Sequence, residues 1–268
     1  MIVPFLIGIP TALLFTYWGF NLTDLAYSKI YGKPLIVYDH IYFKKLRTED
    51  IEVIKAHSLF YTKLSAYKKR VFRHRVVMFI NDKTFIGLNG FEITREKKIM
   101  IASVAVMLSF GMRTYLIACV NKIIIYPHTY FSEINRKYHL GEFNPLLKTI
   151  VFSWEDFIAG MSNNTNNSNL GVHEFAHAIY FCSKYSNDSS SILFTNGIKK
   201  IDKLLHSESY IDKMKNTAYL RGYAYTNKFE FFAVCLEHFI ETPKQFKEAF
   251  PQLFGIIKDM MNFETSEA

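Results

Sequence analysis

The sequence predicts an α+β fold, mostly helical with a small sheet, preceded by an N-terminal hydrophobic helix. Three observations carry this. Residues 170–183 are apolar nearly all round at helical spacing. Two short runs rich in β-branched residues, 122–127 and 149–154, read as strands, the first closed by Pro127. Apolar stretches at 98–110 and 227–241 are too long for strands and suit buried helices. With 268 residues, half of them hydrophobic, the chain can bury a sizeable core, and disorder is excluded for most of its length.

Residues 2–20 carry no charge, and a run of that length can just cross a bilayer as a helix. Tyr17 and Trp18 suit the membrane interface. A signal peptide would need a positive start and a cleavage site, and neither is present. A buried N-terminal helix is the other rival, although Pro4 and Pro10 make it an imperfect one. The adopted reading is a membrane anchor over 1–20, a connector over 21–45, and a folded domain over 46–268 whose part 46–88 is helical. Lys29, Lys33, Lys44, Lys45 and Arg47 follow the span and no basic side chain precedes it. The positive-inside bias then expects the domain in the cytoplasm, tethered to the membrane.

Residues 47–66 read as one helix, with Thr48 as N-cap and Glu49 and Asp50 in the first turn. A basic run follows: Lys68, Lys69, Arg70, Arg73, His74 and Arg75. It reads as a solvated helix face that could also rest on anionic headgroups. No nucleic-acid motif accompanies it, so nucleic acid is not expected as a partner. The net charge of +8 also leaves room for a regulatory protein partner. Residues 98–120 are strongly apolar, but the charge-free run between Lys98 and Arg113 is too short for a second span and is expected as a core helix. Cys119, Cys182 and Cys235 each sit in an apolar run. They suggest no disulfide framework, and a reducing compartment fits best. The Asn-rich tract 162–169 reads as a loop at the rim of a site, with Asn169 or Ser168 able to cap the helix that follows. Helices over 244–250 and 251–263 are expected to close the core, and 264–268 to fray.

The chemistry is concentrated in His173-Glu174-Phe175-Ala176-His177, an H-E-x-x-H motif. Residues four apart lie on one helix face, so His173 and His177 can offer imidazoles to one Zn2+, and Glu174 lies within reach of a water held there. This is the zincin arrangement. Catalytic zinc usually takes a third protein ligand. On the apolar stretch 227–241, Glu230 and Glu237 share one helical stripe, and pattern alone does not choose between them. His206 and His238 are weaker candidates.

The chain resembles the MtfA-like zinc-dependent peptidases, a gluzincin-type group, over roughly residues 72–262. The resemblance runs through Asn89-Gly90-Phe91-Glu92, residues 123–127, residues 150–154, the H-E-x-x-H helix, Tyr223-Ala224-Tyr225, Glu230-Phe231-Phe232-Ala233-Val234, Glu237, Pro243 and Phe250-Pro251. It implies a zincin-like catalytic domain with zinc ligands His173, His177 and Glu230. Glu174 would be the general base, Glu237 would orient a ligand imidazole, and Tyr223 would donate its hydroxyl to the tetrahedral intermediate. This chain departs from the pattern at Ala178-Ile179, where a Leu-Asp pair is usual, and near Arg221, where an acid is usual.

Peptide or protein is the implied substrate, hydrolysed by zinc-activated water. The strand at 149–154 is expected to serve as an edge that pairs with it. The rival is a catalytically silent zinc-site protein, acting as a protein- or membrane-binding regulatory module. Glu174 would have no role in such a site, and a structural site more often has four ligands.

Overall fold

The N-terminal apolar run folds as a helix that does not stop at residue 20. The computed structural model describes residues 3–38, 40, 42–132, 136–163 and 165–263, without the side chains of 3–10, 12 and 13; in it α1 runs from Val3 to Tyr31. Residues 21–31 of the expected connector are therefore helix, and this part is docked on the rest of the chain. Asp24 and Ser28 are each 1% exposed. Asp24 Oδ2 takes a bond from Arg113 Nη1 at 3.0 Å, and Asp24 Oδ1 accepts the Leu35 N–H at 2.8 Å. Most side chains of the charge-free run lie outside the described residues. Among the described residues, no helix is long and apolar enough to cross a membrane. The tail 264–268 also lies outside them.

Next come α2 (Thr48–His57), α3 (Leu59–Lys63) and α4 (Ala66–Asp82). The single helix expected over 47–66 is broken because Ser58 turns extended, at φ −132° and ψ 94°, and its hydroxyl caps α3 by accepting the Tyr61 N–H. The N-cap of α2 is Arg47 rather than Thr48. Asp50 accepts the Arg47 N–H at 3.2 Å and is clamped by the Arg95 guanidinium.

The basic run is not simply a solvated face. Arg75 is fully buried and donates from Nη1 to the carbonyls of Ser109, Phe110 and Met112, and from Nη2 to Val37. Its plane also lies against the Tyr115 ring, 4.3 Å from the centroid. Five donors in a rigid fork suit a guanidinium to gathering loop carbonyls that would otherwise be buried unpaired.

The remaining elements are β1 (Thr84–Gly87), α5 (Arg95–Leu108), β2 (Lys122–Tyr126), β3 (Tyr130–Ser132), β4 (Lys137–His139), β5 (Gly141–Asn144), β6 (Thr149–Ser153), α6 (Trp154–Ser162), α7 (Leu170–Tyr185), α8 (Ser189–Leu205) and α9 (Glu208–Thr217). A 3-10 turn (Gly222–Tyr225), α10 (Lys228–Glu241), α11 (Pro243–Ala249) and α12 (Pro251–Met260) complete the chain. The sheet order is β1-β2-β6-β5, with β1, β2 and β6 parallel and β5 antiparallel to β6. Strands β3 and β4 form a separate hairpin. The α+β expectation therefore holds. One detail is corrected: the strand at 149–154 is not an edge. β6 lies between β2 and β5, with Ile150 and Phe152 fully buried, which is why it reads as a continuous apolar run. The edge beside the candidate site is β5.

The apolar stretch 98–120 contains the expected core helix, which ends at Leu108. α5 buries Ile99, Ile101, Ala102, Ala105, Val106 and Leu108, and packs against α4 and α7. α7 in turn packs against α10. Cys119 and Cys182 are joined as a disulfide across a separation of 63, contrary to the reading of three unpaired thiols; only Cys235 is free, and it is buried. Sequence spacing could not show this pairing, because the two sulfurs are brought together only where the loop before β2 crosses α7.

Candidate metal centre

α7 begins where Asn169 leaves the helical conformation. Its side-chain oxygen accepts the Val172 N–H at 3.1 Å, and its amide nitrogen donates to Gly160 O at 3.0 Å. That cap places His173 and His177 one turn apart on the face toward α10. α10 starts at a second cap, Asn227, which accepts from the Phe229 and Glu230 N–H groups and puts Glu230 in the first turn.

The side chains of His173, His177 and Glu230 converge. His173 Nε2 lies 2.9 Å from Glu230 Oε2 and 3.1 Å from His177 Nε2; His177 Nε2 lies 3.5 Å from Glu230 Oε2. Among the described residues this is the grouping that could hold a metal ion. The triangle fits zinc: bonds of about 2.0–2.1 Å at tetrahedral angles set donor atoms about 3.3 Å apart. The donor set, two imidazoles and one carboxylate, is that of a catalytic site with a position left for water.

Electrostatics agree with a cation-seeking cluster. Burial alone would lower the His173 pKa, yet Glu230 and Glu237 outweigh it and raise it to about 9. Burial would raise Glu230, but hydrogen bonds to the two imidazoles hold its carboxyl far below the usual range. Without a metal, a proton on His173 neutralises carboxylates that an ion would otherwise satisfy. Glu174 is 6% exposed, and burial pushes its carboxyl up despite the neighbouring imidazoles.

Two groups to which sequence reasoning gave no role, Arg221 and Gly141, complete the site around Glu237. Arg221 Nη2 donates to Glu237 Oε2 and lies 3.4 Å from His173 Nδ1, while its Nη1 donates to Asn167 O. Glu237 Oε2 is 3.5 Å from His173 Nδ1, and Glu237 Oε1 accepts the Asn169 N–H at 2.9 Å. Glu237 is 1% exposed, so the helix cap, the arginine and the imidazole share one buried carboxylate. The signal for Arg221 was the departure from the family pattern at that position. Gly141 is the other. A Cβ there would lie 2.7 Å from Leu170 Cδ1 and 3.0 Å from Glu174 Cγ, so a larger residue would push against the Leu170 and Glu174 side chains where β5 passes α7.

Tyr223, on the 3-10 turn, is half-exposed with its ring centroid 6.0 Å from that of His173. Burial, and then the charge and hydrogen bond of Glu230, push its hydroxyl up to about 12. The weaker histidine candidates stay apart. His206 ends α8 with Nδ1 2.7 Å from Asp202 O. His238 is buried against Tyr219, where burial takes its pKa down to about 4.

An H-E-x-x-H helix facing a second helix that carries a carboxylate, beside a small mixed sheet, is the class of arrangement found in metallopeptidases. The chain belongs to the glucose-regulated metallo-peptidase M90 family, whose match covers residues 39–261. It is also similar to a protein of Synechocystis sp. named "Uncharacterized protein slr2042", with 23% identity over 214 residues, 74% of this chain and 78% of that one.

Proposed function

We propose that this protein is a zinc-dependent metallopeptidase that hydrolyses peptide bonds, with His173, His177 and Glu230 as metal ligands and Glu174 as general base. The observation that carries the reading is the convergence of three donor atoms at zinc-like spacings beside a buried glutamate. Zinc bound there would supply a coordinated water of pKa near 7 and would polarise the scissile carbonyl. Glu174 takes the proton from the attacking water and returns it to the leaving amine. Tyr223, at the open side of the cluster, donates its hydroxyl to the developing oxyanion. Arg221 and Asn169 hold Glu237, which in turn fixes the His173 ring through Nδ1. An extended peptide pairs with the outer edge of β5, the strand that Gly141 brings against α7. Residues 2–20 attach the domain to a membrane.

The test is metal content and turnover of a peptide library by the full chain. The parent should bind one zinc and cleave, and a chelator should abolish cleavage. Glu174→Gln should keep the zinc and lose hydrolysis by about 10²–10⁴-fold. A variant that cleaves as fast as the parent removes Glu174 from the role of base. A zinc-loaded parent with no turnover favours the silent binding module instead.

A further inference from the structure

α1 has an unusual polarity for a helix of a folded domain. Its polar face is the docked one: Asn21, Asp24 and Ser28 turn toward the domain, where Arg113 bonds Asn21 and Asp24. N-terminal to this docked segment α1 projects clear of the domain, and residues 14–19 are exposed on every side. Leu14, Phe15, Trp18 and Leu22 are 56%, 78%, 63% and 63% exposed. Their spacing places them on one stripe, which Lys29 and Ile30 continue. No element of the described chain covers it.

The end of α1 meets α8 and α12 along a groove lined by Lys29, Lys33, Lys199, Lys200, Lys203 and Lys258, with Asp259 as its acidic member. On α8, Lys199, Lys200 and Lys203 fall at helical spacing and share one exposed face. An apolar stripe with a tryptophan thus runs into a cluster of lysines. About 16 Å of helix separates Trp18 from Lys29, so a tilted α1 can bring both to one planar surface.

We propose that this face docks on an anionic lipid bilayer, the α1 stripe entering the interface and the lysines of α1 and α8 lying against headgroup phosphates. Charge complementarity selects an anionic partner, and the adjoining stripe selects a bilayer, because a nucleic acid offers nothing to bury Leu14, Phe15 and Leu22 against. The proposal deepens the membrane part of the reading above. It is independent of the peptidase chemistry, and it lays α1 along the bilayer interface rather than across the bilayer. It makes the domain a body seated on the membrane through α1 and α8 together, rather than one hanging from a loose tether.

The experiment uses the full chain added to preformed vesicles of phosphatidylcholine, or of phosphatidylcholine mixed with phosphatidylglycerol. Lysines are acetylated briefly and read by mass spectrometry. On the anionic vesicles at low salt, labelling of Lys199, Lys200 and Lys203 should fall about tenfold relative to phosphatidylcholine, and high salt should restore it. Lys55 and Lys137, on other elements, should label equally throughout. Each lysine near such a surface is worth about fivefold in binding, so K199E/K200E/K203E should partition to anionic vesicles about 100-fold more weakly. Its peptide hydrolysis in detergent should match the parent, which shows that it has folded. Equal labelling on both vesicle types, an undiminished partition of the variant, or protection by polyuridylate but not by vesicles would each overturn the proposal. Absence of peptidase activity leaves the footprint readable, so the two readings fail separately.

Discussion

Glu237→Gln isolates the group behind the metal cluster. To offer Nε2 to a metal, His173 must carry its proton on Nδ1, and the nearest acceptor for that proton is Glu237 Oε2, 3.5 Å away. The carboxylate has a second duty, since its other oxygen accepts the Asn169 N–H at 2.9 Å at the start of α7. Glutamine has one oxygen. If that oxygen keeps the helix cap, its NH2 group faces Arg221 and His173 Nδ1, both of which need an acceptor. The His173 tautomer suited to the metal is then disfavoured. The expected loss in zinc affinity is about 10–100-fold, or about 1.4–2.7 kcal/mol. A competition titration against a chromophoric chelator reads it directly. Turnover at saturating zinc should change much less, because Glu174 and Tyr223 are untouched. An affinity equal to the parent's would show that Glu237 does not set the imidazole and would refute the reasoning.

Three further outcomes follow from the same geometry. Tyr223→Phe should lower kcat about 10²-fold with zinc affinity unchanged; an unchanged kcat would leave Tyr223 as an ordinary surface aromatic. In the metal-free chain, His173 is held at about 9 against its ordinary 6.5, chiefly by Glu230 and Glu237 working against burial. A group raised on folding stabilises fully below its unfolded value and loses that contribution as pH rises through its folded value. The Tm of chelator-treated protein should therefore fall between pH 6.5 and about 9, and the zinc-loaded protein should lack this fall; identical profiles would speak against a proton filling the site. Arg75→Met should cost about 3–5 kcal/mol, read as a shifted urea midpoint, because the carbonyls of Ser109, Phe110 and Met112 lose a buried partner together. A loss below about 1 kcal/mol would show that water replaces the guanidinium freely.

Much of the architecture can be read in one dimension where the signal is local. The α5 and α7 helices follow from apolar periodicity, Asn169 from cap chemistry, and β2 and β6 from runs of Ile and Val. Reading failed where a residue's environment comes from distant chain. Arg75 sits among basic neighbours and looks solvated, yet loops more than thirty positions away supply its acceptors. β5 was missed because Gly141-Glu142-Phe143-Asn144 has little strand propensity; its pairing with β6 and the missing Cβ against Glu174 define it. The Cys119–Cys182 bond has no local signature at all.

Taken by itself, the sequence determined that two imidazoles and a glutamate share one buried turn of helix, because the 3.6-residue period is a property of the local chain. Its helical pattern offered Glu230 and Glu237 as equal members of one stripe on another helix, and the family resemblance gave them different roles. The crossing of α10 over α7 decides how they approach the ring: Glu230 meets the Nε2 side of His173 and Glu237 the Nδ1 side, where Arg221 and the α7 cap meet it. Which face of a ring a carboxylate approaches is fixed by how two helices pack, and that depends on every side chain between them rather than on any spacing within one.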